Sequence, residues 1–151
     1  ACEKGYSEVA EVLASEVIKK GGSLALDAMD ENGDTPLMIA CDNGHSKVVS
    51  VLIEKGANAE ALDKDGYTAL HVACEKGYSE VAEVLASEVI KKGGSLALDA
   101  MDENGDTPLM IACDNGHSKV VSVLIEKGAN AEALDKDGYT ALHVACEKGY
   151  S

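Results

Sequence analysis

Residues 1–79 of this chain are identical, letter for letter, to residues 73–151. A 72-residue sentence written twice constrains the fold more than any single side chain does. Repetition at a fixed period implies a repeated structural unit, whereas a catalytic site needs one convergent set of unlike groups. The period divides again when Asp30 is aligned with Asp63. A unit of 33 residues spans 30–62 and one of 39 spans 63–101; the short unit returns at 102–134. Partial copies of the long unit stand at 1–29 and 135–151, so the whole chain, 1–151, reads as one array.

Each unit carries the same punctuation. "DENGDTPL" and "DKDGYTAL" set a turn-forming Asp/Asn/Gly cluster before Thr35, Thr68, Thr107 or Thr140, and Pro36 and Pro108 follow the cap at the favoured first helical position. A short first helix is expected there. Its apolar residues, Leu37, Ile39, Ala40 and Cys41 or Leu70, Val72, Ala73 and Cys74, cover most of its circumference, so it should be buried on more than one side. Gly44 or Gly77 ends it, and Ser46 or Ser79 is placed to cap a second helix. The second apolar set is Val48, Val49, Val51, Leu52 and Ile53, or Val81, Ala82, Val84, Leu85, Val89 and Ile90. Of the six extra residues in the long unit, "VAEVLASEVI" against "VVSVLI" puts four inside the second helix, and "IKKGGSLA" against "IEKGAN" puts two in the loop after it. Four residues are about one helical turn, so the stripe is expected to stay on one face.

Thirteen Lys and Arg against 27 Asp and Glu give a net charge of −14. Nucleic acid and anionic lipid would be repelled, and a basic partner attracted. With no Trp and no Phe, the core must be built from small aliphatic groups and Met, which suits thin, closely spaced helices. No apolar run reaches the ~18 residues of a membrane span. Cys2, Cys41, Cys74, Cys113 and Cys146 are spaced 39, 33, 39 and 33 and so hold one position in successive units. Packed helices lie ~8–10 Å apart, too far for a disulfide, so these read as buried reduced thiols in an intracellular, reducing compartment such as the cytoplasm.

A helix pair of this size buries its apolar face only against its neighbours. "DKDGYTALHVACEKGYSEVAEVL" resembles an ankyrin repeat, with that family's Asp-x-x-Gly-x-Thr finger, its Thr-Pro-Leu-His-x-Ala helix and its Gly-His turn, here Gly44-His45 and Gly77-Tyr78. The resemblance covers the chain in four matches. It departs at Met38 and Met110, which stand for the signature His, at Ala69 and Ala141, which stand for Pro, and in the 39-residue spacing. It implies an all-α solenoid of stacked helix-turn-helix units joined by β-hairpin-like fingers, and it implies that His71 and His143 hydrogen-bond backbone of the adjacent finger. His45 and His117 fall in the inter-helix turn.

Other chemistry is poorly supported. Pairs such as His71 with Cys74 or Cys41 with His45 offer two metal ligands where a closed zinc site wants four. "DKDGYTAL" imitates a calcium loop, but Tyr67 takes the required glycine position and Cys74 the twelfth, where Glu belongs. No phosphate loop, nucleophile elbow or Ser/His/Asp spacing occurs, so neither cofactor nor catalytic residue is assigned.

By the same resemblance the contact face comprises Glu31, Asn32, Asp34, Asp42 and Asn43 in the short unit, with Glu103, Asn104, Asp106, Asp114 and Asn115 as copies. In the long unit it comprises Lys64, Asp65, Tyr67, Glu75 and Lys76, likewise copied 72 residues later, with Lys136, Asp137 and Tyr139 among the copies. Tyr67 and Tyr139 are expected at finger tips, where an aromatic with a polar end suits recognition. This acidic, polar face implies a protein-binding scaffold that takes a basic segment of a partner. The alternative is a structural array, a spacer or filament segment from recent duplication or engineering. Ala1 corresponds to Ala73 inside a first helix and Ser151 to Ser79 at the start of a second, so apolar surface is expected from Val9 to Ile18 and from Leu142 to Cys146. Such unlike, complementary ends favour head-to-tail association. Continuing the period past Ser151 begins at the equivalent of Glu8, so one copy of "ACEKGYS" must be displaced at each junction.

Overall fold

In the computed structural model residues 2–149 are described, with backbone only for residues 2–5, 23, 24 and 95. Eight α-helices are present among them and no strand: α1 Cys2–Gly21, α2 Pro36–Asp42, α3 Ser46–Glu54, α4 Ala69–Lys76, α5 Ser79–Gly93, α6 Pro108–Asp114, α7 Ser118–Glu126 and α8 Ala141–Lys148. Short 3-10 turns, Ser23–Asp27 and Ser95–Asp99, follow α1 and α5. The first helices α2, α4, α6 and α8 pack side by side as one layer, and the second helices α1, α3, α5 and α7 as another.

The starts of the first helices follow from single side chains. The Thr35 hydroxyl accepts the Met38 N–H at 3.3 Å, and Thr107 does the same for Met110. In the long unit the cap is reciprocal. Thr68 accepts the His71 N–H, and His71 Nδ1 accepts the Thr68 N–H at 3.1 Å. Since Nδ1 is an acceptor, the proton of the neutral ring is on Nε2, which donates to the Asp106 carbonyl of the next finger at 3.2 Å. The expected bridge between units is therefore formed by His71. The Met38 and Met110 side chains at the matching positions of the short units are simply buried.

Burial holds the His71 pKa below its ordinary 6.5, outweighing the opposing Asp106 and Ala100 carbonyls and the Asp102 and Asp63 charges. The fold thus prefers the neutral ring. The resulting stability is complete above about pH 6.5 and is lost as pH falls below it. Thermal melts from pH 7.5 to 5 should show a steeper loss for the native chain than for His71→Met, which removes the titrating ring; parallel curves would contradict the assignment.

Between the two layers lie Leu37, Cys41, Val49, Leu70, Ala73, Cys74, Val81, Leu85, Leu109, Val120 and Leu124, all essentially inaccessible. Burying such a side chain contributes about 1.5–3 kcal/mol, which is why units too thin to stand alone persist in a stack.

Four expectations are corrected. The second helix takes up the entire surplus of the long unit: α5 has 15 residues against 9 in α3, and the stretch after each, 94–101 and 55–62, is equally long. The stripe nevertheless stays on one face as expected, since Val81, Ala82, Leu85, Ala86 and Val89 are the buried residues of α5, and the chain then enters the 3-10 turn. There Asp99 Oδ1 accepts the Asn130 N–H at 2.9 Å, as Asp27 does for Asn58, tying each long unit to the unit after it. Ser46 and Ser79 are first helical residues, not caps; His45 and Tyr78 hold the cap position, with no side-chain cap bond. Ile39 is 46% exposed although its copy Ile111 is 5%, because α4 covers α6 on that side and, among the described residues, no first helix lies on that side of α2.

The cysteines divide as well. Cys41 and Cys74 are buried; burial pushes the Cys41 thiol to about 12 and raises Cys74 further. Cys113 is partly buried and Cys146 exposed, because no second helix lies on α8 among the described residues; the Cys2 side chain falls outside them. Residues 2–6 continue α1 as one helix, whereas their copies at 74–78 turn at Gly77.

Candidate protein-binding face

The fingers are built by an aspartate folding back on its own backbone. Asp30 Oδ1 accepts the N–H groups of Asn32 and Asp34 at 2.9 Å, and Asp63, Asp102 and Asp135 repeat the device. The Asp30 N–H also donates to the Asp34 carbonyl, which gives a tight hairpin-like turn without strands. Successive fingers are joined by single backbone bonds, Lys64 N–H to Asn32 O at 3.3 Å, Glu103 to Asp65 at 3.5 Å and Lys136 to Asn104 at 3.4 Å.

Where fingers meet first helices, two cups open on one side of the stack, of about 450 and about 520 Å³. Asp34, Asp42, Asp63, Asp65, Glu75 and Glu103 ring the first, around Met38, Ile39, Val72 and Tyr67, with Lys76 and Asn104 at its edge. The second repeats it 72 residues on, with Asp106, Asp114, Asp135, Asp137 and Glu147 around Met110, Ile111, Val144 and Tyr139, with Asn115 beside them. Tyr67 and Glu75 line both cups and so stand as the ridge between them.

Tyr67 is not at a finger tip. Its ring stacks on His71 with centroids 5.3 Å apart at 29°, and Tyr139 lies over His143 at 5.6 Å and 37°. The tips are Lys64-Asp65 and Lys136-Asp137, one turn earlier. Burial first, then the charges of Glu75, Asp102, Asp106 and Asp65, push the Tyr67 hydroxyl up to about 12, so it remains a hydrogen-bond donor.

Asp106 is pushed up to about 6, by burial first and then by Asp102, Asp135, Asp114 and Asp137. Its copy Asp34 is raised from the same kinds of cause. Among the described residues α6, which follows Asp106, has a first helix on both sides whereas α2, which follows Asp34, has one on a single side, and the preceding unit supplies the His71 that donates to the Asp106 carbonyl. Among the described residues two cations pair with this carboxylate surface, Lys76 on Asp42 at 3.4 Å and Lys148 on Asp114 at 3.3 Å; these half-exposed pairs contribute little to stability.

Of the residues expected on the contact face, Asp34, Asp42, Asp65, Tyr67, Glu75, Lys76, Glu103, Asn104, Asp106, Asp114, Asn115, Asp137 and Tyr139 line the cups. Glu31, Asn32, Asn43, Lys64 and Lys136 do not. Asn43 Nδ2 instead closes α2 by donating to the Ile39 carbonyl at 2.8 Å. Sequence reading missed Asp63 and Asp135, taken as turn formers alone, and Ile39 and Val72, taken as core. Glu147, the copy of Glu75 in the next period, lines the second cup.

No helix among the described residues is long and apolar enough to cross a membrane. No curated protein matches the chain. The family model described as "Ankyrin repeats (3 copies)" matches residues 1–95 and again 88–151, which together span the sequence. Repeats of this kind are generally non-catalytic protein–protein interaction modules. With its Thr-capped first helices, aspartate-pinned fingers and two-layer stack, this chain belongs to the ankyrin-repeat family.

Proposed function

We propose that the chain is a non-catalytic scaffold whose finger-side face binds an extended basic segment of a protein partner. The observation that carries this reading is the pair of cups, each with carboxylates around an apolar floor and a tyrosine. Carboxylates attract Lys or Arg heads, while Met, Ile, Val and Tyr accept their aliphatic stems. Tyr67, lining both cups, is the central contact, and Tyr139 is its counterpart in the second. The buried thiols Cys41 and Cys74 suit a reducing compartment.

Fluorescence anisotropy with a labelled Lys/Arg-rich peptide tests this. Tyr67→Ala with Tyr139→Ala should weaken binding at least tenfold while helicity is kept, and raising salt from 50 to 300 mM should weaken the native complex. Unchanged affinity in the double variant would favour a spacer, which tolerates any finger change that keeps the stack. The pH dependence has a definite sign. A cation in the second cup favours ionised Asp106, so affinity should rise as pH climbs through about 6 and level off above it, and Asp106→Asn should flatten that rise.

A further inference from the structure

The repeat supplies an internal control, because the same side chains occur with and without a neighbour. Leu85 of α5 is 0% exposed against α4, whereas its copy Leu13 in α1 is 59% exposed. Leu70 of α4 is 2% exposed against α5, whereas its copy Leu142 in α8 is 71% exposed. Among the described residues α1 is thus a second helix lacking its first, and α8 a first helix lacking its second. Beside α1 lies an apolar cleft of about 280 Å³, lined by Leu13, Ala14, Val17, Leu26, Pro36 and Leu52 among others. The copies of these six, Leu85, Ala86, Val89, Leu98, Pro108 and Leu124, are all buried in the interior of the stack, where α4 packs on α5 and α6.

We infer that a second copy of this chain covers both faces, with α8 of one copy seated in the α1 cleft of the next so that the two rebuild one long unit across the junction. Interior packing shows what the occupant must look like, and α8 carries the sequence of α4, ALHVACEK, unchanged. The neighbouring contacts follow from the same copying. Seated there, α8 also covers Ile39 of α2 as α4 covers Ile111 of α6, and α7 meets α1 as α3 meets α5. The straight run of α1 through residues 2–6 is what leaves the place of α4 open, and it is the displaced copy that the duplicated "ACEKGYS" requires.

Two polar contacts mark the register. His71 Nε2 donates to Asp106 O, so His143 of one copy donates to Asp34 O of the next. His117 Nε2 bonds Glu75 O at 2.9 Å while its ring lies over Gly77; His45 of one copy therefore reaches Glu147 O of the other and covers Gly149, around which nothing lies within 4 Å. The two faces are unlike, so the contact is heterologous and open-ended. Each copy carries −14, so like-charge repulsion opposes association, and salt strengthens it by screening.

Analytical ultracentrifugation of the 151-residue chain tests this. Its average mass should rise above 15.6 kDa with concentration, and further in 0.5 M than in 0.05 M NaCl. Leu13→Asp and Leu142→Asp, both at open positions and so neutral for folding by circular dichroism, should each be monomeric alone. Mixed, they should form a 1:1 dimer that grows no further, since each retains the face that the other lacks. A native chain that stays monomeric at millimolar concentration in high salt, a single variant that still associates, or a mixture that stays monomeric would each overturn the inference.

Discussion

Leu85→Ala should destabilise the chain by about 2–5 kcal/mol, the cost of a cavity where no neighbour can collapse inward. Leu85 is fully buried on α5, the helix that packs against α4, α3 and α7. Leu13→Ala, the same substitution in the same local sequence, should change stability by less than about 0.5 kcal/mol in dilute solution, because that side chain is open. Urea denaturation followed by circular dichroism reads both. Near-equal losses would mean that α1 is as well covered as α5, and would sink the two-layer account of the ends of the stack.

Gly77→Ala should cost about 2–4 kcal/mol. Its φ of 81° is in the left-handed region, which costs an L-residue about 1–2 kcal/mol, and a Cβ there would meet His117 Nδ1 at 2.5 Å. The imidazole would have to leave, giving up its bond to the Glu75 carbonyl. Gly149→Ala separates the two causes. Its φ of 78° carries the same backbone strain with open space around it, so only about 1–2 kcal/mol should be lost there. Thermal melts of the two variants should differ by several degrees; equal melting points would show that the ring over Gly77 contributes nothing.

Much of the fold was legible because it depends on short-range chemistry. A Thr three residues before an amide that needs a partner, an Asp two and four residues before free N–H groups, and a Pro at the first helical position act within one turn of chain. Asp34, Asp42, Tyr67 and Glu75 were placed on the contact face through the family resemblance, and the stack brings them together. What escaped depended on neighbours. Asp63 is a turn former by sequence, and it lines a cup only because the finger stands beside α2 and α4. Tyr67 leaves the finger tip because His71, four residues on, offers a ring to stack on.

The clearest division lies in one string of letters. Both copies of "CEKGYSEVAEVLASEVIKKG" are helical from their first serine to the final glycine, an amphipathic run that the letters determine by themselves. Whether the Gly-Tyr before that run reverses the chain is decided elsewhere. At 74–93 it turns, because α4 is seated between α2 and α6 and His117 closes over Gly77; at 2–21 the backbone runs straight on, with no first helix beside it among the described residues. A glycine permits both outcomes at little local cost, so the choice rests with burial across units, which no stretch of twenty letters contains.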